Sequence, residues 1–283
     1  MRKVSLLVGL LCFCWYTVVA QVRYHQQDSV QVVTLLNRVD KNASSSEKLV
    51  WFGRSLQGLP YVEGTLEADT EVLTANLRQL DCVTFVETSL ALTLASEWGG
   101  RWDDYLCALR RLRYRQGRVD GYASRLHYFT EWIYENEHTQ GFVQEVTSRY
   151  ATGKKPAMQP FFFMSTHVNA YPALQTDTVQ LQAIRRVEEK LSRMPLVQLS
   201  KEQPDWQQQV DRLETGSIVA FTTRIAGLDV THVGIVVCCR GKACLLHASL
   251  RHEKVLIEPG TLSDYIRQQK GCTGIRVLRL AFP

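Results

Sequence analysis

The apolar residues of this chain change their spacing once, near residue 200, and that change bounds the folds open to it. Before it they recur at intervals of three and four, as on one face of a helix. Val32, Val33, Leu35, Leu36 and Val39 follow a helix start at Asp28/Ser29. Ser44 and Glu47 have capping-box spacing ahead of Leu49, Val50 and Phe52. Gly58-Leu59-Pro60-Tyr61 and Gly64 mark an exposed loop, and a helix is predicted over 70–79. Past Cys82, the residues Val83, Val86, Leu90 and Leu94 keep one helical face apolar until Gly99-Gly100. Trp102 to Leu112, Leu126 to Ile133 and Val179 to Leu191 carry three further helical stripes. After Pro204 the apolar runs become short and rich in Val, Ile and Leu. Strands are predicted at Ser217–Thr223, His232–Cys239, Ala243–Ser249, Lys254–Glu258 and Gly274–Leu280, joined as an antiparallel meander. The expected class is α+β, helices first and a sheet after them.

The first twenty residues stand apart. Arg2 and Lys3 precede an almost unbroken apolar stretch from Val4 to Val19, and Ala20 closes a small-residue V-V-A site. This is the layout of a secretory signal, too short and wrongly flanked for a membrane span. No second stretch approaches spanning length, so no membrane span is expected in the mature chain. Of 283 residues, 263 then remain, with six of the eight cysteines and a formal charge that falls from +5 to +3. That charge, with no Lys/Arg run, argues against nucleic acid as a partner. The expected location is periplasmic or secreted, an oxidising setting in which the cysteines need not all pair in a chain with a full core.

Cys82 opens a predicted helix behind Asp81, which caps it. Unpaired N–H groups at a helix start favour a thiolate and can receive an oxyanion. A nucleophilic cysteine needs a base, and the base an orienting partner. His232 lies in Thr231-His232-Val233-Gly234-Ile235-Val236 and His247 in Leu245-Leu246-His247-Ala248-Ser249. If Gly241 and Lys242 form a two-residue turn, His247 faces Val236, on the same sheet side as Gly234 and His232. Both imidazoles would then line the surface on which the Cys82 helix packs. Zinc is the competing use of Cys238, Cys239, Cys244 and His247, but no paired CxxC or HxxxH spacing supports it. In that register Cys239 faces Cys244 on the far side, as a disulfide or two buried thiols. No metal and no cofactor are expected.

Asp81-Cys82, the strand His232-Val233-Gly234-Ile235 and a histidine on the next strand resemble the pattern of the NlpC/p60 superfamily of cell-wall hydrolases. Gly58-Leu59-Pro60-Tyr61 is similar to the superfamily's Gly-x-Pro-Tyr loop. The resemblance implies a papain-like fold, with the nucleophile helix packed on an antiparallel sheet. It implies Cys82 as nucleophile, His232 as general base, His247 as the residue orienting it, and Tyr61 close to the reacting carbonyl. Val83-Thr84 stand where family members have Ser-Gly, the Tyr61-to-Cys82 gap is long, and a helical insertion separates the Cys helix from the first core strand. These departures resemble one branch, the N-acetylmuramoyl-L-alanine amidase-like proteins (domain of unknown function 1460). Gly64-Thr65-Leu66-Glu67, Leu80 to Glu87, Ser124-Arg125-Leu126-His127-Tyr128 and Gly227 to Gly234 are each similar to that branch's blocks.

By that resemblance the chain divides into a signal at 1–20, an N-terminal helical segment at 21–68 and a catalytic domain at 69–283 with a helical insertion at 99–215. The implied activity is hydrolysis of the bond between N-acetylmuramic acid and L-Ala in peptidoglycan fragments (muropeptides), with Arg125, His127 and Tyr128 lining the substrate cleft. Two alternatives share the fold: a stem-peptide endopeptidase cutting between D-Glu and the third residue, and a catalytically silent wall-binding module.

Overall fold

The structure, a computed structural model, describes residues 22–152 and 156–282. The signal-like segment lies outside the described residues. Helix α2 (Ser45–Ser55) starts where the sequence places it, whereas α1 (Gln26–Arg38) starts before the expected Asp28/Ser29, capped by His25 with Asp28 returning the bond from its first turn. Ser44 caps α2, with Glu47 returning a bond to the Ser44 N–H at 2.8 Å. The helix predicted over 70–79 does not form. Leu73–Thr74 (β2) instead pairs in parallel with Val22–Arg23 (β1). The buried Asp28 carboxylate draws in the Leu77 N–H at 2.9 Å and the Arg78 guanidinium at 3.2 Å. Asn76 takes the next two N–H groups, so this backbone is satisfied without a helix.

Helix α3 (Cys82–Trp98) is the centre of the molecule. Asp81 accepts the Thr84 N–H at 2.8 Å and Thr84 accepts the Asp81 N–H at 2.9 Å, a reciprocal cap. Every residue from Thr84 to Ala95 is buried, not one face of them. The polar ones are accommodated by local bonds: Ser89 and Thr93 hydroxyls each donate to the carbonyl four residues back. Around α3 pack α1, α2, α4 (Trp102–Arg113) and one side of the sheet, in one core shared by the N-terminal segment and the rest.

The insertion contributes α5 (Phe129–Tyr134), α6 (Phe163–Thr166), α7 (Pro172–Thr176), α8 (Thr178–Leu191) and α9 (Trp206–Asp211). It also contributes strands β3 (Val143–Glu145) and β4 (Leu199–Ser200), so it is woven into the sheet. The C-terminal strands are β5 (Ile218–Thr223), β6 (Val230–Cys239), β7 (Lys242–Ser249), β8 (Lys254–Ile257) and β9 (Cys272–Leu280), with helix α10 (Leu262–Gln268) before the last. Spatial order is β3-β9-β5-β6-β7-β8, antiparallel throughout, with β4 on β9. The expected meander holds from β5 to β8, but β9 crosses back to pair with β5.

The turn between β6 and β7 is Arg240-Gly241, both at positive φ (53° and 76°), not Gly241-Lys242. The register therefore slips by two: Val236 faces Leu245, and Cys239 faces Lys242. Cys239 and Cys244 sit diagonally as free thiols that share a hydrogen bond. A two-residue slip preserves the alternation of sides, so His232 and His247 still share one face. That face is not the one expected. Val233, Ile235 and Val237 point at α3, whereas Val236 and Leu245 point away from it, into a second core with Leu262 and Ile266 of α10. The histidines lie on this α10 side, against Phe221 and Tyr265.

Candidate active site

Cys82 thus comes from the α3 side of the sheet and His232 from the α10 side, and β6 parts from β7 between them. Their ladder ends at Ile235 opposite Leu246, while beyond it His247 pairs onward with Leu256 of β8. Val236 bonds to Ser217 beside β5, so alternation turns the Val233 N–H the other way, toward β7. There the Cys82 sulfur receives it. The start of α3 fills the gap between the strands. Gly234 lets β7 and His247 come close to β6 on the α10 side, because a Cβ there would lie 2.6 Å from Leu245 Cδ1 and 3.1 Å from the His247 Cβ.

Three backbone N–H groups, those of Val233, Val83 and Cys82 itself, favour the charged sulfur, yet burial and then the Asp81 carboxylate outweigh them. The thiol is pushed up to about 12. The helix start therefore does not by itself make a resident thiolate, contrary to the sequence expectation, because the capping carboxylate and the lost solvent act the other way.

The two histidines are tightly held. His232 Nε2 lies 2.6 Å from His247 Nδ1, and His247 Nε2 lies 3.1 Å from Glu258 Oε2. His247 is fully buried and Glu258 nearly so. Burial pulls His232 down to about 4. Burial, then His232 and His252, pull His247 down to about 2, so both are neutral imidazoles at neutral pH. No hydrogen bond joins Cys82 to His232 among the described residues; with Nε2 engaged, the ring nitrogen left for the sulfur is Nδ1. The Tyr265 ring closes the α10 side, 5.3 Å from the His247 ring.

Tyr61 is held beside Cys82 by backbone bonds from Leu80 to Pro60 and from Val62 to Leu80, and its own N–H donates to Glu253. Burial and then the nearby Cys82 raise its hydroxyl far above the usual range, so it stays a proton donor. At present it donates to Glu63 at 3.2 Å.

Arg125, His127 and Tyr128 are engaged by their own chain. Arg125 is 7% exposed and its guanidinium bonds to Glu67 at 3.0 Å and Glu71 at 3.2 Å. His127 donates to the Tyr122 carbonyl at 2.8 Å, and burial followed by Arg125 takes it down to about 3. Tyr128 is buried and donates to Glu188 at 2.7 Å. Two cavities lie at the His232 end of the sheet and share Thr223. One of about 120 Å³ is lined by His232, Thr231 and Tyr265. The other, of about 320 Å³, lies between insertion and sheet, with Gln198, Thr222, Thr273 and Asp229 among its walls. Its one arginine, Arg276, is paired with Glu145 at 2.8 Å.

Sequence reading missed Glu258 and Tyr265. Glu258 stands beside Pro259-Gly260 at the end of a short strand and reads as a solvated turn acid. Only its position opposite Leu245 in the middle of β7, fixed by its N–H bond to the Leu245 carbonyl at 2.8 Å, turns it toward His247.

A family described as AmiA-like, N-acetylmuramoyl-L-alanine amidase-like, matches residues 51–275. Among solved structures, an N-acetylmuramoyl-L-alanine amidase from Bacteroides uniformis is 33% identical with a TM-score of 0.76, covering 84% of this chain and 99% of its own. A putative xylanase from Bacteroides fragilis is 38% identical with a TM-score of 0.73, over 81% and 99%. Protein LPG0564 from Legionella pneumophila, 18% identical with a TM-score of 0.66 over 91% and 95%, shares the fold. No curated protein matches the chain.

Proposed function

We propose a reaction for this chain on the premise that it belongs to the AmiA-like, N-acetylmuramoyl-L-alanine amidase-like family: cysteine-dependent hydrolysis of the amide between N-acetylmuramic acid and L-Ala in muropeptides, after export to the periplasm or beyond. The observation that carries the cysteine mechanism is the parting of β6 from β7, which lets the sulfur of the first residue of α3 face the Val233 N–H next to the hydrogen-bonded pair His232–His247.

His232 Nδ1 takes the thiol proton as the Cys82 sulfur attacks the lactyl carbonyl carbon. The oxyanion formed on that carbonyl oxygen lies near the N–H groups at the start of α3 and the Tyr61 hydroxyl, which donate to it. The proton on His232 passes to the L-Ala nitrogen, the C–N bond breaks, and a muramoyl thioester stays on Cys82. Water, deprotonated by the same nitrogen, releases the acid and restores the thiol. A resting thiol beside a neutral imidazole supports this order, since proton transfer and attack then go together. The papain-like, NlpC/p60 description belongs to the same reading.

The larger cavity supports seating the sugar beside the reacting carbonyl, because hydroxyl and amide groups line it and its arginine is already neutralised, leaving no cation for a stem carboxylate. Arg125, His127 and Tyr128 do not line that cavity and keep in this reading a bracing part, through their bonds to Glu67 and Glu71, Tyr122 and Glu188. A glycosidase reading, from the name of the Bacteroides fragilis relative, requires two free carboxyls in one cleft. Glu258, the carboxyl next to His232 and His247, is already bound.

The test is mass spectrometry of defined muropeptides after digestion, with sacculi and a disaccharide-tetrapeptide compared at matched stem concentration. Release of intact stem peptide is expected, faster from the small substrate. Release of the C-terminal part of the stem, with L-Ala-D-Glu left on the sugar, would move the chain to the endopeptidase reading, and equal rates on the two substrates would refute a preference for small ones.

A further inference from the structure

We propose that Glu258 is the positioning residue that sets the working tautomer of the catalytic base, acting through His247 on His232. The proposal deepens the cysteine-hydrolase reading and rests on it for its kinetic consequence, though not for its structural one.

The argument is one of proton counting along three groups. A carboxylate has lone pairs and no proton to give, so at the 3.1 Å contact with Glu258 it is His247 Nε2 that carries the hydrogen. His247 is a neutral imidazole, which has a single N–H, so its Nδ1 is a bare acceptor. At 2.6 Å from that acceptor, His232 Nε2 must be the donor. His232 is neutral as well, so its remaining nitrogen, Nδ1, is left with a lone pair. That is the nitrogen free to face the sulfur. One carboxylate, two hydrogen bonds away, thereby decides that the base is a base. Reversing the chain would place a proton on His232 Nδ1, where it could accept nothing from the thiol.

The surroundings fit a carboxylate held for this purpose. The Glu258 side chain is 8% exposed and its backbone is fixed by the bond to the Leu245 carbonyl. His252 Nε2 stands 3.5 Å from the other carboxylate oxygen and has no hydrogen-bond partner of its own. Tyr265 also faces this corner: burial and then the Glu258 charge keep its hydroxyl protonated, with Cys82, Cys272 and Arg251 acting on it as well. When His232 becomes an imidazolium during the reaction, its second N–H points down the same chain toward the carboxylate. Glu258 need not take the proton.

Ring-nitrogen chemical shifts of the full-length chain labelled with ¹⁵N-histidine, without substrate, read the tautomers directly. The wild type is expected to show His232 and His247 protonated on Nε2 only at pH 7. In Glu258→Ala the two rings should populate the reversed tautomers. kcat should fall on the order of 100-fold with KM within about twofold, the low end of a general base's contribution. Glu258→Gln, whose carbonyl oxygen can still accept, should keep both the tautomers and more of the activity, and it stands in if the alanine variant does not fold. A wild-type His232 protonated on Nδ1, or an alanine variant with unchanged tautomers, overturns the proposal. A chain that shows the expected tautomers but cleaves no muropeptide would sink the hydrolase reading and leave the tautomer assignment standing.

Discussion

Two buried carboxylates, Glu87 and Glu258, sit on opposite sides of the same sheet region and serve different ends. Glu87, inside α3, receives Arg113 Nε at 2.7 Å and Trp132 Nε1 at 3.2 Å, and Arg113 continues to the Thr74 carbonyl. Glu258 receives His247. The geometry is alike and the partner differs. A guanidinium never gives up its proton, so the Glu87 pair is a fixed strut that ties α3 to α4 and to the strand at Thr74. An imidazole has two nitrogens and a movable proton, so the Glu258 pair can transmit a choice. A buried carboxylate is thus structural or functional according to whether the group it holds can titrate.

The contrast can be broken from either side. The largest effect is expected where the functional side meets substrate: Cys82→Ala should abolish hydrolysis while changing the melting temperature by no more than a few degrees. Activity within severalfold of wild type, assayed on any muropeptide the wild type cleaves, would remove Cys82 from the reaction. On the strut side, Arg113→Met leaves Glu87 buried without its cation and should cost about 3–5 kcal/mol in urea denaturation. Its kcat, measured on the folded fraction, should stay close to wild type; a selective loss of kcat would erase the distinction between the two carboxylates.

A smaller effect is expected at the orienting histidine. His247→Asn or Gln should keep part of the activity, and His247→Ala should lose more, because only the amides can replace the hydrogen bond to His232. EDTA should leave all of these rates unchanged. Chelator-sensitive activity restored by zinc would point to a metal site instead.

The smallest concerns pH. His127, His232 and His247 are lowered by burial to about 3, 4 and 2. For each, the unfolded chain binds its proton near the ordinary value of about 6.5. Their contribution to stability is therefore complete above that value and is lost as pH falls toward the folded values. Buried carboxyls such as Glu71 and Glu131, raised by burial, work in the opposite sense, so the comparison must be differential. His127→Gln, which can still donate to Tyr122, should lose less stability than wild type between pH 7.5 and 5 in urea titrations. Equal losses would mean that His127 is not held neutral.

How much of this was legible beforehand follows from which forces act locally. The caps at Ser44 and Asp81 could be read because a capping box is a bond among four neighbouring residues. The sharing of one face by His232 and His247 could be read because alternation survives a two-residue slip in register. The face itself could not. Strand β6 is apolar on both sides, Val233 and Ile235 to one and Val236 to the other, so its sequence does not say which side receives α3. The residues at 70–79 read as helix because the pull of Asp28, some 50 positions away, is invisible in the local pattern. The state of Cys82 was misread for a related reason: the helix start is local, but the burial that overrides it is tertiary.

The parting of β6 from β7 also supplies a reporter. The amides on either side of Val233 lie in a strand paired on both edges or packed beneath α3, and should exchange with solvent deuterium only when the sheet opens. The Val233 amide is held by a sulfur, a weak acceptor, in place of a carbonyl. Its exchange rate therefore measures how long the Cys82 sulfur stays in its seat. Alkylating Cys82, or trapping an acyl group on it, should change protection at that one amide more than at Ile235 or Val237. Occupancy of the Cys82 sulfur can then be followed by mass or NMR with no substrate signal at all.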